Sequence, residues 1–272
     1  MIKPIKTFIF CLLTLTAYPA WPDALTNLTD AYTVDGVPVQ MERATSGFHG
    51  ALGAWLLNYQ KDLGDSLRKT SLLPLALITY QDWAYFGLGG AGVWLAQAED
   101  HSVKFGVGIK GHRGYDPTNQ LANTASGERR NSIDGGIIFV WRTDIVNVGA
   151  NYSTDLGNAS NGSSASLRFS HVFRVSQKLS LIPRVNAEWL DARVVDYYFG
   201  VPVSEATVSL PPYSGHSTVN WGAGLNAGYR LSPQWRLLGG LNYTRFGSGI
   251  VDSPLVLNNH STTVYLGAAW LF

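Results

Sequence analysis

The chain has 272 residues, with 20 Lys+Arg against 19 Asp+Glu, and its formal charge of +1 argues neither for nor against a nucleic-acid partner. Charged residues make up only 14%, aromatics reach 12% and there are 29 Gly, yet mean hydropathy is +0.02. Past the N-terminus no apolar run approaches the ~18–20 residues of a membrane helix, which excludes a helical span. A wall alternating lipid-facing and water-facing positions has this composition.

Residues 1 to about 20 read as a secretory signal: Lys3 and Lys6 precede an apolar stretch, Thr7 to Ala17, too short to span a bilayer. Cleavage after Ala20 and after Ala24 both remain open. The one cysteine, Cys11, would leave with this segment, so disulfides, cysteine metal sites and thiol nucleophiles are not expected in the mature chain. Losing Lys3 and Lys6 leaves 18 basic residues against 19 acidic, a net charge near −1. Residues 21–46 carry turn signals at Asp35-Gly36 and Pro38 and read as an irregular periplasmic segment: a plug, a short strand or a docking arm.

Side chains of a β-strand alternate between its two faces, and from residue 47 onward the sequence repeats that period. The expected strands are 48–59, 71–80, 83–89, 91–98, 101–111, 133–142, 144–153, 163–174, 178–190, 217–231, 234–246 and 262–272. Val219, Trp221, Ala223, Leu225, Ala227 and Tyr229 alternate with Thr218, Asn220, Gly222, Gly224, Asn226 and Gly228. Trp221/Tyr229 and Trp235/Tyr243 are each eight residues apart. On a tilted strand that is about 20 Å of depth, close to the spacing of two aromatic girdles across an apolar band. The last strand places Val264, Leu266, Ala268, Trp270 and Phe272 on one face and ends the chain on an aromatic.

Twelve strands from a periplasmic start put tight turns near Asp82, Asp100, Thr143, Gln177 and Pro233 on one side. The long connections 112–132, 154–162, 191–216 and 247–259 then fall on the other, and ten strands is the fallback. The expected fold is an all-β transmembrane antiparallel barrel over 47–272, with short periplasmic turns and long external loops. A soluble secreted barrel or sandwich would alternate too, but it explains neither the paired aromatics nor the terminal Phe272.

Asp196-Tyr197-Tyr198-Phe199-Gly200-Val201, followed by Glu205-Ala206 and Tyr213, resembles a stretch of the MipA/OmpV outer-membrane family, as do Asp252-Ser253-Pro254-Leu255-Val256 and the Leu231 to Trp235 turn. Leu73-Pro74-Leu75 with Tyr80 resembles the family's early proline-containing strand, though Thr79 stands where an acidic residue is common. The resemblance covers about residue 47 to Phe272. It implies a non-catalytic outer-membrane scaffold that contacts a murein lytic transglycosylase and a peptidoglycan synthase. Other members look more like surface antigens or adhesins, which would act here through the external loops.

The residues also offer other chemistry. By parity Lys104, Lys110, Arg142, Arg168, Arg174, Arg184, Arg230 and Arg236 face the lumen, with Asp134 and Glu188 as partial counterweights. An open lumen so lined would pass small anions; a filled one would pair these groups. His216-Ser217 and His260-Ser261 sit at the outer rim, where a Ser–His hydrolase would act. Adjacent strand residues point to opposite faces, however, so ordinary rim residues is the favoured reading. Tyr197-Tyr198-Phe199 is expected to pack a long loop, with a sugar-stacking or adhesive platform as the alternative. Asp196 and Asp252 lack calcium-loop spacing and are expected to cap turns or to pair with Arg129 or Arg130. No cofactor, metal, catalysis or nucleic-acid partner is expected. Outer-membrane lipid, and the barrel assembly machinery through Trp270 and Phe272, are the general partners.

Overall fold

The computed structural model describes residues 47–60, 68–81, 83–87, 90–112, 114 and 127–272. The expected signal segment, residues 21–46, the turn residue Asp82, Gly89 and most of the first half of the 112–132 connection lie outside them.

One antiparallel sheet closes on itself. Its strands are β1 (Phe48–Gln60), β2 (Arg68–Tyr80), β3 (Ala84–Gly87), β4 (Gly90–Gln97), β5 (Val103–His112), β6 (Ser132–Arg142), β7 (Asn147–Asp155), β8 (Ser163–Ser170), β9 (Phe173–Arg174), β10 (Leu179–Leu190), β11 (Thr218–Arg230), β12 (Trp235–Arg245) and β13 (His260–Leu271). β8 and β9 pair with β10 in one register, with His171 N–H on the Pro183 carbonyl between them, so the two form a single stave and the barrel has twelve. This is the expected count. The expected strand 163–174 is the one interrupted in this way.

Closure joins β1 to β13, from Ala51↔Leu271 to Tyr59↔Thr263. The last residue completes the seam: Phe272 N–H donates to the Gly50 carbonyl at 3.1 Å, and Gly50 N–H to the Phe272 carbonyl at 3.0 Å. The Phe272 ring lies over Gly50 and stacks on Trp270 at 5.6 Å. Deleting Phe272 removes both bonds and the ring at the point where the sheet must shut. Outer-membrane yield, read as the band that shifts on boiling, is expected to drop several-fold, and wild-type yield would remove the assembly role assigned to this residue.

Alternation decides what faces lipid. Exposed Trp221 and Tyr243 stand at the external ends of β11 and β12, while Tyr229, Trp235, Trp270 and Phe272 stand at the opposite ends, giving two aromatic belts on the outer face. The short connections, at Gln81–Trp83, 98–102, 143–146, 175–178 and 231–234, share one side. The long ones at 156–162, 191–217 and 246–259 share the other. β3 and β4 are also joined tightly, between Gly87 and Gly90, on the long-loop side.

Pro74 in β2 is tolerated because of this local geometry. Odd residues of β2 turn their backbone groups to β1, as the Leu77 carbonyl over Gly50 shows, and even ones turn theirs toward β3, as the Ala76 carbonyl beside Gly87 shows. The N–H that proline lacks therefore falls beyond the β2–β3 ladder, which ends at Leu77↔Gly87.

The lumen departs from a simple polar interior. Ala51, Trp55, Leu57, Tyr59, Leu73, Leu75, Leu238, Tyr265 and Ala269 point inward and form one buried apolar cluster across β12, β13, β1 and β2. Trp55 meets Tyr265 edge-on at 5.3 Å, and the Tyr265 ring occupies the space that a side chain at Gly240 would need. Here both faces of the wall are apolar: one packs inside, the other meets lipid.

Candidate functional site

The expected lumenal residues all lie on inward-facing strand positions. Lys104 is 3% exposed, and Arg168 and Arg184 are each 4% exposed. Neighbouring side chains therefore shield these three from water. Lys104 sits 5.5 Å from the centre of the Trp94 ring, and Lys110 lies 4.0 Å from Asp134. Glu188 accepts from the Asn220 amide at 3.5 Å. Arg142 is half-buried on the inward face. Arg236 is held by its own turn, donating to the carbonyls of Ser232 at 2.7 Å and Pro233 at 3.1 Å. Thus most of these groups are built into the wall.

A second structured feature stands on the external side of the barrel. The 191–217 connection forms helix α1 (Ala192–Phe199) and a 3-10 turn at Val203–Glu205, and the 246–259 connection forms a single helical turn, α2 (Ser248–Val251). The sequence reads both only as long external connections, with no element inside them. The α1 signal was present, however: Asp191 caps the helix by accepting Val194 N–H at 2.9 Å, and Val194, Val195 and Tyr198 form its buried face. With Leu190 at the end of β10 and Val201, Leu210, Phe246, Ile250 and Leu255 they make a small core distinct from the lumenal cluster.

The motif residues hold this cap together. The Asp196 carboxylate accepts Gly215 N–H at 2.7 Å, and its carbonyl accepts Gly200 N–H at 2.8 Å. Val201 and Tyr213 exchange backbone bonds at 2.8 and 3.0 Å. Motif residues tie the loops to each other: the Ser253 hydroxyl donates to the Phe199 carbonyl at 2.6 Å, and the Tyr213 hydroxyl to the Gly249 carbonyl at 2.9 Å. Burial, with Asp252 and Asp196 nearby, pushes the Tyr213 phenol up, so it remains protonated as that donor. Asp252 ends α2, its N–H on the Ser248 carbonyl at 2.9 Å, and Pro254 follows in the turn toward buried Leu255. Both aspartates thus serve turns. The arginines offered as their partners go elsewhere: Arg129 pairs with Glu205 at 3.1 Å, and Arg130 donates to the Asn158 carbonyl.

Arg129 is the hub that sequence reasoning missed as such. Its guanidinium donates to the carbonyls of Tyr197 at 2.6 Å and Gly200 at 3.2 Å, and to both Glu205 oxygens at 3.1 and 3.4 Å. Below it His112, at the end of β5, stacks on Tyr198 with ring centres 4.3 Å apart and meets Asp134 at 3.2 Å. Of the aromatic triplet, Tyr198 packs into the cap core and Tyr197 takes the Arg130 N–H on its hydroxyl at 2.9 Å.

The rim histidines are not set against their neighbouring serines. His216 lies 3.4 Å from Ser248 and 3.4 Å from the Tyr213 hydroxyl, and His260 contacts Asn259 at 2.9 Å while stacking on Tyr243. Among the described residues no group of three or more His, Cys, Asp or Glu side chains is placed to hold a metal ion.

The sequence profile of the family described as MltA-interacting protein MipA matches residues 50–272. Putative outer membrane protein YiaT of Escherichia coli K12 is 27% identical over 207 residues, 75% of this chain and 82% of that protein. Outer membrane protein OmpV of Vibrio cholerae is 26% identical over 137 residues, 50% of this chain and 53% of that one. Among solved structures, the COG4313 outer membrane channel of Pseudomonas putida F1 aligns over 87% of this chain and 99% of its own, at 13% identity and a TM-score of 0.42.

Proposed function

The chain belongs to the MltA-interacting protein MipA family of outer-membrane barrels, and from that premise we propose that it is a non-catalytic anchor for periplasmic peptidoglycan enzymes. The carrying observation is the family match over nearly the whole barrel, together with the partner named in the family's description. Its partners would be a murein lytic transglycosylase and, through it, a peptidoglycan synthase. Two structural features support an anchor over a conduit. A packed cap stands on the external side, and Lys104, Arg168, Arg184 and Arg236 of the basic lumenal set are buried in the wall. Fold alone does not assign such a role, because one barrel architecture serves many.

On this reading the docking surface is the periplasmic rim at the 175–178 and 231–234 turns, with the sequence segment 21–46, outside the described residues, as the expected docking arm. The expected thiol-free mature chain makes the test direct. A single cysteine at Gln177, Ser232 or Thr26 carries a crosslinker in intact cells, and captured envelope proteins are identified by mass spectrometry. Several-fold enrichment of a lytic transglycosylase over a control cysteine in the external cap is the expected result. Capture of assembly factors and lipoproteins alone, from a correctly folded barrel, would defeat the anchor reading.

A further inference from the structure

The 155–162 loop, between β7 and β8, is built as a rigid clip. Asp155 accepts from the Ser132 hydroxyl, from the N–H groups of Gly157 at 2.7 Å, Ser160 at 2.7 Å and Asn161 at 2.9 Å, and from the Ser160 hydroxyl at 3.3 Å. Asn158 and Asn161 adopt left-handed backbone, with φ of 53° and 54°, which turns the chain sharply at both. The loop's outward carbonyls each hold an arginine from a neighbouring element. Arg130, just before β6, donates to the Asn158 carbonyl at 3.1 Å, and Arg193, in the first turn of α1, donates to the Asn161 carbonyl at 3.1 Å.

Each arginine gives one nitrogen to the clip, and both side chains are exposed at the external rim. The carboxylates of the clip do not neutralise them. Asp155 is turned into its own loop, and Asp191 accepts the N–H groups of Ser163 and Val194, each at 2.9 Å. Where this loop leaves β7, the outward face is apolar. Leu156 is 58% exposed and lies over Gly135, and Ile133 beside it is 53% exposed. Both cations thus hang from the one loop whose first residue beyond β7, Leu156, meets Ile133 on the outward face at the external ends of β7 and β6. Arginine's planar donor fork suits phosphate oxygens, and side chains already held by backbone carbonyls lose less freedom on binding.

We propose that Arg130 and Arg193, mounted on the 155–162 loop above Leu156 and Ile133, form a binding site for a phosphorylated lipid of the outer leaflet. The phosphate lies across the two guanidinium groups and the acyl chains run down over Leu156 and Ile133. This site is independent of the periplasmic docking proposed above, and it lies beside the Arg129 contacts of the cap without using them.

Native mass spectrometry of the folded, detergent-solubilised full barrel tests the assignment, with bisphosphorylated lipid A, its dephosphorylated form and inorganic phosphate as probes. The expected result is at least tenfold tighter retention of the phosphorylated lipid than of the dephosphorylated one. That preference should disappear in the Arg130→Gln/Arg193→Gln double variant and survive in the double Lys variant, which keeps both charges. Leu156→Ser should weaken retention of both lipids while keeping the preference. A folded Gln variant, verified by an unchanged boiling-dependent gel shift, that retains the phosphorylated lipid as well as wild type would overturn the site. So would equal retention of the two lipids, or displacement of the phosphorylated one by an equal concentration of inorganic phosphate.

Discussion

Gly53→Val is expected to stop the barrel from closing. Gly53 sits in β1 opposite Ala269 of β13, on the seam that joins the two ends of the described sheet. A Cβ there would fall on the Ala268 carbonyl oxygen and lie 2.9 Å from both the Ala268 carbonyl carbon and the Ala269 Cα. All three atoms are backbone, so no rotamer change can relieve the clash and the strands must part. Overpacking in a soluble core costs about 1–3 kcal/mol, because side chains and backbone yield a little. Here the yielding element is a ladder of hydrogen bonds inside the bilayer. Each backbone group left without a partner in lipid costs several kcal/mol, and no water can replace it. We expect the folded, boiling-sensitive fraction in outer-membrane preparations to fall about tenfold or more. Gly111→Val is the matched control: it lies in β5 with no atom within 4 Å of the added Cβ, and it should assemble as wild type. Normal assembly of the Gly53 variant would show that the seam tolerates separation.

How far the sequence discloses this structure depends on the range of the interactions. The period of two is a local property, so strand positions, their inward and outward faces and the count of twelve are all legible from it. The same parity places Lys104, Arg168 and Arg184 on the inner wall, although it says nothing of how deeply they are buried. In β1 and β2 the two faces are nearly equal in hydropathy: Leu52 and Leu56 against Trp55 and Leu57. Alternation there does not reveal that the inner face builds an apolar cluster with Leu238 and Tyr265, roughly two hundred residues away in sequence. Helix α1 was missed because eight residues between long strands give a 3.6 period little room to show, despite the Asp191 cap. The cap's organisation was hidden for a different reason. Arg129 reaches Tyr197, Gly200 and Glu205 across 68 to 76 residues, and no spacing rule connects them. The motif residues from Asp196 to Ser253 were noticed as a pattern, and the structure gives that pattern a physical content: they bond one external loop to the other.

The second large effect follows from that connection. Arg129→Ala should release the cap while leaving the barrel closed. The guanidinium is 8% exposed and serves the Tyr197 and Gly200 carbonyls and the Glu205 carboxylate at once. Removing it strands a partly buried carboxylate and two carbonyls that α1 and the following turn have already taken out of water. Breaking a buried pair by deleting one partner costs about 3–5 kcal/mol, and the partial exposure of Glu205 puts this case near 3. At 1.4 kcal/mol per decade, that is on the order of a hundredfold rise in the open cap population, and cleavage follows that population when opening is fast. Proteinase K applied to intact cells should therefore cut within residues 191–217 about a hundred times faster, while the boiling-dependent gel shift stays the same. Arg129→Lys should recover only part of the protection, since an ammonium can meet Glu205 but cannot span the carbonyls on either side as the planar fork does. Adding Glu205→Ala to Arg129→Ala removes the stranded charge and should slow cleavage again, although the two carbonyls remain unserved. If the single Ala variant resists protease as wild type does, Arg129 is not what fastens the cap, and the apolar core with the Ser253–Phe199, Tyr213–Gly249 and His216–Ser248 bonds between the loops holds it.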